Sequence, residues 1–234
     1  MPKRKVERGV FRRALRWVWI FCSFMVIFSV IQVVSLRFMN PLFTMMTAVE
    51  RVGSLVGIKA EPPRSRWRPL REISPHIRRA VLAGEDQRFL AHNGFDFIEL
   101  NKAIKDMVLD KGHRGASTIT MQVSRTVFLW PERSWVRKIL EAYYTVLIEL
   151  FWVKARILEV YLNTVDWGDG IMGADAATWA YFQCPPSRVS RQQAAMLAAI
   201  LPSPHRWSPT NPNAGTLMRQ KRILRDIEKM PLLP

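Results

Sequence analysis

Cysteine is scarce in this chain: two in 234 residues, Cys22 and Cys184. One lies inside a long apolar run and the other far beyond it, so no internal disulfide is expected and a disulfide-stapled scaffold is excluded. Acidic residues are also few, 19 against 35 Lys and Arg, which leaves a formal charge of +16. That excess points to an anionic partner: lipid headgroups, a phosphorylated substrate or nucleic acid. No nucleic-acid-binding motif accompanies it, so nucleic acid is not expected as a partner. Strand signals are few and short, and neither an internal repeat nor a low-complexity tract occurs. The expectation is a mostly α-helical protein.

What the sequence does have begins at its start. The first sixteen residues hold seven Lys and Arg against one Glu, giving +6 and leaving +10 for the rest. Trp17 to Leu36, WVWIFCSFMVIFSVIQVVSL, follows without a charge. As a helix it would run about 30 Å, the thickness of a bilayer core. A secretory signal has a shorter apolar region and a small-residue cleavage site, and neither fits here. The reading is a retained anchor, with the basic leader inside the cytoplasm and the rest outside it. The expected organisation is a basic tail at 1–16, a transmembrane helix at 17–36, a membrane-proximal connector at 37–66 and one helical domain at 67–234.

Within that domain, Ser74 precedes Pro75 as a helix start, with Ile77, Ala80, Val81 and Gly84 on an inward face. Helices are expected over 97–110, over 134–163 in one or two pieces, over 190–201 and over 216–230. Ser190 and Gln193 have the spacing of a capping box.

Four segments concentrate chemistry. AGEDQRFLAHNGFD, residues 83–96, places Glu85, Phe89 and His92 at i, i+4, i+7, one face of a continuous helix, with Asp86 about 100° around and Asn93-Gly94 as the stop. A carboxylate beside an aromatic ring is partly desolvated and suited to proton transfer. From spacing alone an ordinary helix end, with Glu85 in solvent and Phe89 in the core, is the commoner outcome of such a pattern. RGASTITMQVSRT, residues 114–126, offers backbone amides and hydroxyls at Ser117 and Thr118, then Gln122 and Arg125 one turn apart. Such a loop can grip a phosphate or sugar, or can simply cap a helix; it lacks the ending of a nucleotide-binding P-loop. In PERSWVRKILEAYYTVLIE, residues 131–149, Arg137 and Lys138 precede Glu141 by four and three positions. Cations early in a helix oppose its dipole, so helix stability explains them poorly and an anion site beside an ion-paired carboxylate explains them better. YLNTVDWGDGIMG, residues 161–173, reads as a turn-rich loop whose Asp166 and Asp169 do not fit a calcium loop.

In order along the chain, AGEDQRFLAHNGFD, GASTITMQ, RKILEA, RILEVYLNTVDWGDGIMG and QQAAMLAAILPSP resemble the five motifs of the peptidoglycan glycosyltransferases, family 51, in their monofunctional biosynthetic form. The resemblance runs from about Trp67 to Trp207, with a weaker echo to Met230. It implies a lysozyme-like helical domain that polymerises lipid II into β-1,4-linked glycan strands by inverting transfer, releasing undecaprenyl pyrophosphate. It implies catalytic roles for Glu85, as general base, and Glu141, on the donor side, the latter with a possible divalent cation, Mg or Mn, and no organic cofactor. Substrate contacts are implied at Asp86, Phe89, His92, Ser117, Thr118, Gln122, Arg125, Arg133, Arg137 and Lys138, the last two neutralising pyrophosphate. Implied partners are lipid II, the lipid-linked growing glycan, the cytoplasmic (inner) membrane and other cell-wall synthesis proteins. The S-x-x-K and K-T-G motifs of a transpeptidase are absent, so peptide cross-linking is not expected.

Some positions depart from the family pattern. Met121-Gln122 stands where Q-Q is usual, Arg125-Thr126 where Lys-Asn is usual, and Gln193 where Glu is usual. Arg keeps the charge of Lys but not its compact geometry. Two other functions compete: a glycan hydrolase on the same fold, which would not need the cations at 125, 133, 137 and 138, and an inactive membrane scaffold, which would not need both carboxylates.

Overall fold

The computed structural model describes residues 3–41, 44, 47–48, 66–109 and 115–233. Most of the expected connector, including EPPRSRW up to Ser65, and Arg114 of the second segment fall outside those residues. The chain forms two compact units, Met1–Met39 and Asn40–Pro234.

The first unit is one helix, α1 (Lys3–Phe38). Its apolar part, Leu15–Phe38, is 24 residues long with mean hydropathy 2.2, long and apolar enough to cross a membrane. Phe21, Phe24, Ile27 and Ile31 are exposed along it, an arrangement favourable in hydrocarbon rather than in water. The helix runs through Trp17 without a break, so the basic leader and the span form one element.

The second unit is helical, and its described residues contain no strand, only an isolated antiparallel bridge between Asp166 and Met172. It begins with a 3-10 turn at Leu70–Glu72 and α2 (Pro75–Glu85). Next come α3 (Phe97–Val108), α4 (Ile119–Phe128), α5 (Trp135–Phe151) and α6 (Lys154–Thr164). The last three helices are α7 (Gly173–Phe182), α8 (Arg191–Ile200) and α9 (Ala214–Asp226).

Local chemistry sets most of these boundaries. The Ser74 hydroxyl accepts from His76 N at 3.2 Å and Pro75 opens α2. Ser190 and Gln193 close the capping box of α8, each side chain accepting from the other's backbone N–H. Ile77, Ala80 and Val81 are fully buried. The inward face of α2 packs on α8 and α9, and a Cβ on Gly84 would stand 3.2 Å from Ile223 Cδ1. A second layer packs α4 against α5 and α6.

One expectation changes and one helix is new. The helix through Glu85, Phe89 and His92 does not exist: α2 stops at Glu85, and Phe89–Ala91 form a separate 3-10 turn. Asp86 leaves the helical path (φ −157°, ψ 76°). Its carboxylate accepts from Ile119 N at 3.0 Å and pairs with His92 Nε2 at 2.9 Å. These buried bonds to distant backbone and side chain outweigh one more turn of helix. An added element is α7, for which no expectation was made because its GADAATWAYF sequence gives no amphipathic signal. Residues 173–178 are all buried, so no polar face marks the helix.

Candidate active site

The C-terminus of α2 and the N-terminus of α4 meet at Glu85. Glu85 Oε2 accepts from Gln122 Nε2 at 3.0 Å, and Oε1 accepts from Arg219 Nη2 at 2.7 Å. The same guanidinium nitrogen reaches the Gly84 carbonyl at 2.8 Å, so Arg219 grips the last turn of α2 as well as the carboxylate. Behind Gln122, the Tyr161 hydroxyl lies 3.3 Å from Oε1 of the amide. Both members of the ion pair are mostly shielded, with side-chain exposures of 17% for Arg219 and 14% for Glu85.

Phe89 does not flank Glu85 on a helix. Its buried ring meets His92 edge-on, centroids 6.4 Å apart, and lies under Lys154 Nζ at 4.5 Å. His92 and Asp86 are both buried and paired. Asp96 caps α3, accepting from Ile98 N and Glu99 N at 3.0 Å each, and its other oxygen takes Arg88 at 3.0 Å. Burial penalises the charged Asp96, but those N–H donors and Arg88 prevail and hold its carboxyl below the usual range. These side chains fasten the turn that delivers Glu85.

Thr118 is the N-cap of α4. Its hydroxyl donates to the Gly94 carbonyl at 2.6 Å and accepts from Met121 N at 3.2 Å, so its single proton is spent inside the fold. Ser117 is half-buried just before it, and Arg125 is exposed on α4.

The second carboxylate sits on α5. Glu141 is 1% exposed; Lys138 Nζ reaches Oε1 at 2.6 Å and Arg137 Nη1 reaches Oε2 at 3.4 Å. Arg137 is itself buried, whereas the Lys138 side chain is 47% exposed. Of the two cations expected to meet an anion, Lys138 is the one open to solvent. Arg133 is exposed in the segment before α5. One helix touches both residues: Gln122 of α4 reaches the Glu85 carboxylate, and two residues on, Ser124 Oγ donates to the Glu141 backbone carbonyl at 3.0 Å.

Neither acidic cluster suits a resident divalent cation. Asp86, His92 and Asp96 each bring one ligand atom within 4.8 Å of the others. The two carboxylates there are already committed to backbone N–H groups, His92 and Arg88. A dication at Glu141 would be set against two cations already on its oxygens.

Sequence reasoning missed Arg219 and Tyr161. Arg219 lies 134 residues beyond Glu85 in a helix with several basic residues, and no spacing rule singles it out. Tyr161 stood inside the fourth motif, where the expected helix over 134–163 overlaps the expected loop over 161–173; it lies on α6 and is 2% exposed.

The fold and site define a helical protein built around two shielded, cation-paired carboxylates, with a helix at its start fit to cross a membrane. The family model described as "Transglycosylase" matches residues 52–228. Curated relatives named "Biosynthetic peptidoglycan transglycosylase" include one from Bacteroides thetaiotaomicron, 43% identical over 95% of this chain and 90% of its own length. Another, from Chromohalobacter salexigens, is 43% identical over 96% of each chain, and one from Pseudomonas putida strain KT2440 is 45% identical over 86% of each. The chain belongs to the transglycosylase family.

Proposed function

We propose that this protein is a peptidoglycan transglycosylase that polymerises lipid II by inverting glycosyl transfer, with Glu85 as general base. The carrying observation is the pair of shielded carboxylates, each held by its own fixed donors. The Glu85 carboxylate is aimed by an amide and a guanidinium, while Glu141 is flanked by Arg137 and Lys138. A carboxylate oriented by fixed donors can take the proton of an attacking sugar hydroxyl. Fixed cations around Glu141 suit the other half of the reaction, where a pyrophosphate leaves and charge develops. Lys138, Arg125 and Arg133 are the exposed cations offered to that anion, and undecaprenyl pyrophosphate is the released product. Gln122 and Ser117 are the polar groups nearest a bound sugar in this reading. Asp86, Phe89, His92 and Thr118 act by bracing. No step is routed through a metal.

The membrane is part of the reading. α1 anchors the chain in the cytoplasmic membrane with its N-terminus inside and the catalytic unit outside. Phe97, Ile98, Ile104, Met107 and Val108 of α3 are exposed apolar side chains that a bilayer can cover. A hydrolase is disfavoured because the cations at 125, 133, 137 and 138 have no task in cutting a neutral glycosidic bond. The test is incubation of the detergent-solubilised protein with fluorescent lipid II alone, with products resolved on a gel. Long glycans are the expected outcome; intact lipid II together with cleavage of preformed glycan would overturn the proposal.

A further inference from the structure

We infer that Tyr161 is a positioning residue for this reaction, acting on Glu85 through the side-chain amide of Gln122. The inference rests on the role proposed for Glu85. The geometry is a three-member chain. The Tyr161 hydroxyl stands 3.3 Å from Gln122 Oε1, and Gln122 Nε2 donates to Glu85 Oε2 at 3.0 Å. A primary amide can present either end to a neighbour, and only the NH2 end suits a carboxylate. With that end committed to Glu85, the amide oxygen needs a donor, and Tyr161 O–H supplies it. Water has little access on that side, because Tyr161 is 2% exposed. An amide oxygen left without a donor there would carry a desolvation cost and would loosen the orientation of Gln122.

The phenol is suited to being a permanent donor. Burial pushes its pKa well above the ordinary tyrosine value, the Glu85 charge adds to the rise, and Arg125 and Arg219 only oppose it. It therefore keeps its proton across the range in which a carboxylate base works. The arrangement also links elements: α6 holds the tyrosine, α4 the amide and α2 the base.

Tyr161→Phe removes one oxygen and keeps the ring. On full-length enzyme with fluorescent lipid II, kcat is expected to fall about tenfold, the worth of one hydrogen bond of roughly 1.4 kcal/mol, with KM little changed. An amide donor favours the charged carboxylate, so weakening it should move the acid limb of the kcat/KM profile to higher pH. In a Gln122→Ala background the same substitution should add nothing further, because the path to Glu85 is already cut. Tyr181→Phe is the control: its hydroxyl donates to the Trp167 carbonyl at 2.9 Å, away from Glu85, and its pH profile should match wild type. An unchanged profile and kcat in Tyr161→Phe overturns the inference, as does an equal loss in the Gln122→Ala background. Failure of the underlying reading is separate: it would appear as Glu85→Gln retaining turnover, whatever Tyr161→Phe does.

Discussion

At the residue scale, Glu85 and the arginine paired with it have different expected responses. Glu85→Gln keeps size but removes the proton acceptor and leaves one oxygen where two now accept from Gln122 and Arg219. Turnover should fall by about 10²–10⁴-fold, the usual worth of a general base, while lipid II binding by the inactive variant persists. Substantial residual turnover would remove Glu85 from that role. Arg219→Ala acts differently. It strips the cation at 2.7 Å from a largely shielded carboxylate and the donor to Gly84 O. Thermal denaturation should show a loss of a few kcal/mol, since a shielded charge is left without its partner. Arg219→Lys, which keeps the charge, should recover part of it; a Tm equal to wild type in the alanine variant would mean that the pair contributes nothing. Glu85, Glu141 and Gln122 were legible in the sequence because each sits in a short motif whose spacing is local. Arg219 was not, because its meeting with Glu85 is produced by packing α9 on α2, which no local pattern encodes.

At the element scale, turns carry the design more than helices do. Gly94 adopts φ +89°, and a Cβ there would stand 2.6 Å from Thr145 Cγ2. Its carbonyl also receives the Thr118 hydroxyl that caps α4. Gly94→Ala should therefore cost about 1–3 kcal/mol in strain alone, with more from the clash, and lower Tm visibly; a neutral effect would contradict the turn geometry. A second turn is tied electrostatically. His205 lies between Asp169 (Nδ1 to Oδ1, 2.6 Å) and Asp166 (Nε2 to Oδ2, 2.8 Å), joining the loop after α6 to the segment after α8. The bond to Asp169 raises its pKa above the ordinary imidazole value, opposed by partial burial and helped by Asp166. The folded form thus holds the proton more tightly than the unfolded one. The resulting stabilisation is fully present below the ordinary value near 6.5 and is lost as pH rises through the raised one. Melting curves of wild type and His205→Asn should differ at acid pH and converge at alkaline pH; a constant gap would show that the tie is not titrating. The helices starting after Ser74 and Ser190 were readable because caps are local chemistry. The continuous helix through His92 was misread, and α7 was not anticipated, for the converse reason. Asp86 is drawn off the helix by a backbone amide 33 residues away, and the first six residues of α7 are all buried.

At the scale of the whole molecule, charge and apolarity are divided between the units in a way that makes topology testable with native residues. α1 combines a basic leader with a 24-residue apolar segment, so the protein should remain in the membrane fraction through high salt and alkaline carbonate. Release by salt alone would mean that the attachment is electrostatic, supplied by the +16 charge rather than by a span. The proposed orientation rests on the same leader, since a +6 charge beside a span favours retention on the cytoplasmic side. The two cysteines report it. Cys22 lies within the apolar segment, and Cys184, free and partly exposed, lies in the catalytic unit. A membrane-impermeant maleimide added to intact spheroplasts should label the wild-type chain, and Cys184→Ser should abolish that label while Cys22→Ser leaves it. Labelling that appears only after lysis would place the catalytic unit in the cytoplasm. A polymerase facing that way would extend glycan on the wrong side of the membrane, so the outcome bears on the proposed reaction as well as on the anchor.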